Sequence, residues 1–162
     1  MLKKIKSKRR KAREKTLQIL YALELNPDAY ADLIANFYDD MESENEIEFS
    51  RSLVRKVITN RETLDDFIKQ KASNWELERI ALIDRLLLRM GIAEILYFPD
   101  IPPKVSINEM IEISKEFSTT KSGKFINGIL DSILNDLKKS GKLNKFGRGL
   151  IDETLPKKQK KN

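Results

Sequence analysis

The chain has 162 residues, 40% of them hydrophobic and 35% charged, with a formal net charge of +6, a length and composition that fit one domain with a real core and an ionic surface. It holds no cysteine and no histidine, which excludes disulfides, thiolate nucleophiles, Cys/His zinc sites and every general-base scheme built on imidazole. No apolar run approaches the roughly 18 to 20 residues of a membrane span, and the basic N-terminus leads into an amphipathic segment, without the apolar stretch of a signal peptide, so the expected location is the cytoplasm.

A basic arm opens the chain: residues 1–13 hold eight cations and no acid, and residues 138–162 hold nine cations against Asp152 and Glu153, so the body between them is acidic. Such asymmetry suits a protein that recruits a polyanion through its ends while its body meets a basic partner; solubilising tails would read the same way. The arm runs into a first predicted helix through Leu17, Leu20, Tyr21 and Leu25, ended by Asn26-Pro27-Asp28. In the second, Tyr30, Leu33, Ile34, Phe37, Tyr38 and Met41 follow the helical template throughout and predict a fully buried face. After the acidic stretch from Glu42 to Glu48, Phe49, Leu53, Val54, Val57 and Ile58 form a third helix, and Asn60 is placed to cap a fourth carrying Leu64, Phe67 and Ile68.

The longest apolar block, Trp75 to Phe98, reads as a central helix packed on more than one side, stopped by Pro99, Pro102 and Pro103. Ser106 and Glu109 have capping-box spacing for the next helix, which bears Ile107, Met110, Ile111 and Phe117. After Thr119 and Thr120 the last helix carries Phe125, Ile126, Ile129, Leu130, Ile133, Leu134 and Leu137. The expectation is an all-α bundle of about seven helices over residues 1–140, followed by a disordered basic tail over 141–162, whose composition cannot offset its ordering entropy.

Three places can carry chemistry. Arg9, Arg10, Lys11 and Arg13 lie where the arm turns into helix, and guanidinium forks match phosphate oxygens and stack on bases; a solvated basic terminus is the plain alternative. Residues Thr119 to Gly128 bring Lys121 and Lys124 to a helix start, whose amides favour phosphate. Gly123-Lys124 lacks the upstream glycine, strand and following hydroxyl of a P-loop, so nucleotide hydrolysis is rejected. There Phe125 could stack on a base but fits the core by spacing from Ile129, and Asn127 could read a base edge or cap a helix. Arg89, a cation inside the most apolar helix, must reach an edge or be paired. No catalytic pair, cofactor or metal site emerges, and no enzyme is expected.

Taken together, RRKAREKTLQILYALE, RLLLRMGIAEILYFPDIPPKVSINEMIEISKEFST and KSGKFINGILDSIL, in this order and separation over roughly residues 7–138, resemble the NusB family of bacterial transcription factors. The resemblance implies a helical bundle in two packed halves that binds the single-stranded boxA element of ribosomal RNA transcripts together with the ribosomal protein NusE, within an RNA polymerase antitermination complex. By position it implies RNA contacts at Arg9, Arg10, Lys11, Arg13, Tyr21, Arg89, Lys121, Phe125 and Asn127, and NusE contacts at Glu78 and Asp84. Lys121 stands where the resemblance leads one to expect an acid, and the basic tail, longer than the minimal family fold, would add nonspecific RNA affinity. Two other readings compete: a structural helical module, homodimeric when free, and the NusB-like domain of an RNA methyltransferase, which the lack of a glycine-rich cofactor fingerprint disfavours.

Overall fold

In the computed structural model, which describes residues 5–72 and 77–151, the periodic segments become seven α-helices, with no strand among the described residues. They are α1 (Lys8–Leu25), α2 (Tyr30–Phe37), α3 (Glu44–Thr59), α4 (Arg61–Lys71), α5 (Leu82–Tyr97), α6 (Pro103–Phe117) and α7 (Ser122–Lys139). One half is α1 with α2 and α3; the other is α4, α6 and α7 around α5, which also lies against α1 and α3. Serving both halves explains why α5 is apolar nearly all round: Leu86, Leu87, Leu88, Met90, Ile92, Ala93 and Ile95 are all buried. Gly91 lets α5 pack tightly on α7, since a Cβ there would lie 2.8 Å from a methyl of Leu130.

The basic run is part of α1 itself. The Ser7 hydroxyl accepts from the Arg10 amide at 3.0 Å, an N-cap that starts the helix at Lys8.

Four expectations are corrected. No residue of α2 is buried; the helix lies at a corner, and only Ile34 and Phe37 partly reach the core. Its best anchor, Tyr38, follows the helix and sends its hydroxyl to Ser50 at 2.9 Å, which in turn meets Thr16 at 2.8 Å. Asn60 does lie between α3 and α4, but its amide donates to the Lys56 carbonyl and closes α3 without capping α4. The Ser106/Glu109 box does not start α6, because Pro103 begins it one turn earlier, where a preset φ and a missing N–H suit the first helical position. The central helix starts at Leu82 after a 3-10 turn at Leu77–Arg79; Trp75 lies outside the described residues.

The tail also departs from expectation over 141–151. Gly141, at φ 68°, ends α7 in a Schellman turn, with the Lys142 amide donating to Leu137 and the Gly141 amide to Lys138. Leu143 packs on the core, and Lys145 Nζ donates to the carbonyls of Glu94 at 3.2 Å and Phe98 at 2.9 Å, closing the C-terminus of α5. Gly149 presses so close to the loop after α5 that a Cβ would meet the Pro99 carbonyl. Residues 152–162, the rest of the expected tail, lie outside the described residues.

Burial pushes the Lys145 ammonium down to about 8 from its ordinary 10.5, with Glu94 and Asp100 acting in the opposite sense. Between those values the undocked chain holds more protons than the docked one, so docking strengthens as pH rises from 8 towards 10.5. The melting-temperature advantage of wild type over Lys145→Gln is therefore expected to widen over that interval; an advantage that does not change with pH contradicts the assignment.

Candidate nucleic-acid interface

Helical geometry divides the cations at the start of α1 into two sets. Arg13 falls on the face of Leu17 and Leu20 and points inward, where Nε and Nη2 meet the Glu94 carboxylate at 2.9 and 2.7 Å. Both side chains are buried, at 3% and 0% exposure, and Ser106 donates a further bond to Glu94 at 3.0 Å. Burial opposes the charge on Arg13, but Glu94 and then Glu109 offset it and hold the guanidinium above its ordinary pKa. Arg10 forks onto Glu109 of α6 at 2.8 and 2.9 Å, which raises its pKa. Lys6 is held between Glu116 at 2.6 Å and Glu14 at 2.8 Å.

These inward contacts neutralise much of the acidic row of α6, whose Glu112 also meets Lys115 at 2.6 Å. What remains outward is cationic. Lys8 and Lys11 are exposed, and Arg9, 40% exposed, lies over the Phe49 ring with its guanidinium carbon 4.0 Å from the centroid. Arg9 Nε also approaches Glu46 at 2.8 Å, without the alignment of a hydrogen bond, since that Glu46 oxygen has no hydrogen-bond partner. Across from Lys8 and Lys11 a shallow cleft is walled by Asp40, Glu42 and Glu46, so a polyanion is directed to the outer side of the lysines.

The start of α7 is built around Asp84. Its carboxylate accepts from Ser118 at 2.7 Å and Ser122 at 2.9 Å, which fixes the α6–α7 joint to the start of α5. Lys121 gives α7 no side-chain cap, leaving its first amides without a side-chain acceptor. Lys121, Lys124, Asn127 and Gly128 are exposed around them, while Phe125 is half-buried at the core edge.

The remaining expected contacts are dispersed. Tyr21 is 39% exposed on α1. Arg89 is 2% exposed, with Nε and Nη2 on Asp65 at 2.7 and 3.2 Å and Nη1 on Glu24 at 3.2 Å, so it ties α5 to α4 and α1. Arg13 and Arg89, which the resemblance places at the RNA, stand behind the surface and position helices, and Arg89 is paired, one of the two outcomes its place in an apolar helix allows. Glu78 is exposed on the turn before α5, whereas Asp84 is buried under its serines. Sequence reasoning missed Lys8 as an outward cation and Glu94 and Glu109 as the acceptors that aim α1. The alignment of Arg13 with Leu17 and Leu20 was the available signal.

The NusB family model matches residues 10–135. The transcription antitermination protein NusB of Chloroherpeton thalassium is 46% identical over 156 residues, which cover 94% of this chain and 72% of that protein. T. maritima NusB is similar in structure, with a TM-score of 0.75 at 34% identity over 82% of this chain and 94% of that one. A structure of the antitermination factors NusB and NusE in complex with dsRNA shares the fold, with a TM-score of 0.72 at 23% identity over 80% of this chain and 97% of that one.

Proposed function

The chain belongs to the NusB family, and from that premise we propose that it binds the boxA-type single-stranded segment of ribosomal RNA transcripts together with NusE, as part of an antitermination complex on RNA polymerase in the cytoplasm. As a member of this family it is not an enzyme. The observation that carries the RNA reading is the division of α1. Arg10 and Arg13 are locked inward on Glu109 and Glu94, which fixes the helix so that Lys8, Arg9 and Lys11 present charge outward. Lys121, Lys124 and Asn127 at the start of α7 supply a second set of donors. A solved relative assembled with NusE and dsRNA supports NusE and RNA as the classes of partner. Tyr21 and Phe125 offer partly exposed rings for bases, Glu78 offers an exposed carboxylate to a basic protein, and Asp84 holds the joint beside it.

Fluorescence anisotropy of a labelled boxA-type RNA and a scrambled control, with and without NusE, tests this reading. Preferential binding of the boxA-type RNA that tightens with NusE is expected. Equal, weak binding of both RNAs that NusE does not change would refute it.

One further observation favours self-association of the free protein. Leu25 (69% exposed), Tyr30 (39%) and Ile58 (44%) stand at or near a groove of about 360 Å³ whose walls combine apolar residues such as Leu20, Leu23 and Val57 with the charged Glu24, Arg55 and Arg61. A second copy is the occupant we infer. Sedimentation should show a dimer that Ile58→Lys dissociates; a monomer at all concentrations would exclude it.

A further inference from the structure

The segment 141–151 carries an exposed aromatic ring that core packing does not explain. Phe146 is 58% exposed, yet its backbone is pinned: its amide donates to the Pro99 carbonyl at 3.2 Å, and its carbonyl accepts from the Gly149 amide at 3.0 Å. Lys145 is anchored inward on the last carbonyls of α5. Gly147 adopts φ 55°, a left-handed turn open to glycine, and beyond it Arg148 is exposed, as are Lys142 and Asn144. The result is an exposed ring on a pinned backbone, with exposed cations on either side of it in the sequence. Single-stranded RNA suits such a surface, because every base has a face to stack on an aromatic side chain and every phosphate a charge for lysine or arginine.

The location matters as much as the chemistry. Lys145 bonds the Phe98 carbonyl, the Phe98 ring meets Phe49 edge-on with centroids 5.4 Å apart, and Phe49 carries the Arg9 guanidinium on its face. Lys145 also bonds the carbonyl of Glu94, the residue that holds Arg13. The segment and the basic start of α1 are therefore linked through an unbroken chain of contacts.

We propose that Phe146, flanked by Lys142 and Arg148, is a second single-stranded RNA contact, a stacking platform for a base that flanks the segment bound at α1. The proposal rests on the RNA reading above. It assigns the aromatic and glycine residues of the basic tail a placed site, beyond diffuse charge attraction.

The test uses the full chain and two lengths of RNA: a short boxA-type oligonucleotide, and the same one extended by about four nucleotides at either end. The extension should tighten binding at one end by about tenfold, and a 2-aminopurine placed there should be quenched on binding. Phe146→Ala should abolish both effects and leave the short RNA bound as before, whereas Phe146→Trp should keep them. Gly149→Ala, which forces the segment off the Pro99 carbonyl, should also abolish them while the bundle stays folded by circular dichroism. If the short RNA binds preferentially but no extension tightens binding, or if the gain survives Phe146→Ala, the platform is wrong and the RNA reading stands. If Phe146→Ala weakens only the complex with NusE, the ring belongs to a protein interface and the proposal is overturned. If the short RNA is not preferred over its scrambled control, both readings fall.

Discussion

Replacing Glu94 with alanine is expected to lower the unfolding free energy by about 3–5 kcal/mol, because the substitution leaves the buried Arg13 charge without its partner. Glu94 is wholly buried and accepts three side-chain hydrogen bonds, two from Arg13 and one from Ser106. No water-exposed carboxylate can move into its place, and Glu109, at 3.7 Å from Arg13, already receives the fork of Arg10. The converse experiment separates attraction from desolvation. Arg13→Met combined with Glu94→Leu removes both charges, and it should recover most of the loss, since apolar pairs of similar volume commonly replace buried ion pairs without large penalty. Urea denaturation followed by circular dichroism reads both effects, with the denaturant dependence unchanged if the unfolded states are alike. A loss under about 1 kcal/mol for Glu94→Ala would show that water reaches the pair, as at a surface salt bridge.

The second large effect is on RNA. Replacing Lys8, Arg9 and Lys11 together with alanine is expected to weaken binding about 10- to 100-fold near physiological salt and to reduce the log–log salt slope by about 2, at roughly 0.7 per lost phosphate contact on a single strand. Stability should fall modestly, because the two lysines are exposed while Arg9 packs on the Phe49 ring and lies 2.8 Å from a buried Glu46 oxygen. Lys69→Ala, an exposed change on α4, serves as the control and should leave affinity and slope unaltered. If the triple variant keeps the wild-type slope, the outward face of α1 is not where phosphates are neutralised. This prediction and the first probe opposite sides of one helix, the inner side for its pose and the outer side for its ligand.

What the sequence could convey follows from which interactions are local. The apolar periodicity of α1, α5 and α7 was sufficient because each has neighbours enough to cover its face. In α2 the same periodicity misled: an amphipathic pattern states that a face favours burial, and it cannot state that a partner surface stands opposite. Arg13 and Arg89 were recognisable as unusual cations, but their carboxylates lie 81 and 24 residues away, beyond any spacing rule. Ser106 and Glu109 satisfied a capping pattern and are used instead across helices, on Glu94 and Arg10. The tail was judged by composition, which counts side-chain burial. It docks over 141–151 through one backbone hydrogen bond from Phe146 to Pro99, a lysine closing α5 and the close approach of Gly149, none of which a composition argument weighs. For the candidate site, the motif marks α1 in the sequence, and only the three-dimensional pairing decides which of its cations face outward.

The central claim is that RNA lies along the outward side of the start of α1 and the start of α7. Titrating 15N-labelled protein with boxA-type RNA and following amide shifts tests it residue by residue. The account predicts the largest changes at residues 8–11 and 121–128, with smaller ones at Tyr21 and little on α4. Changes concentrated on α2 and α4, or spread evenly over the surface, would contradict it.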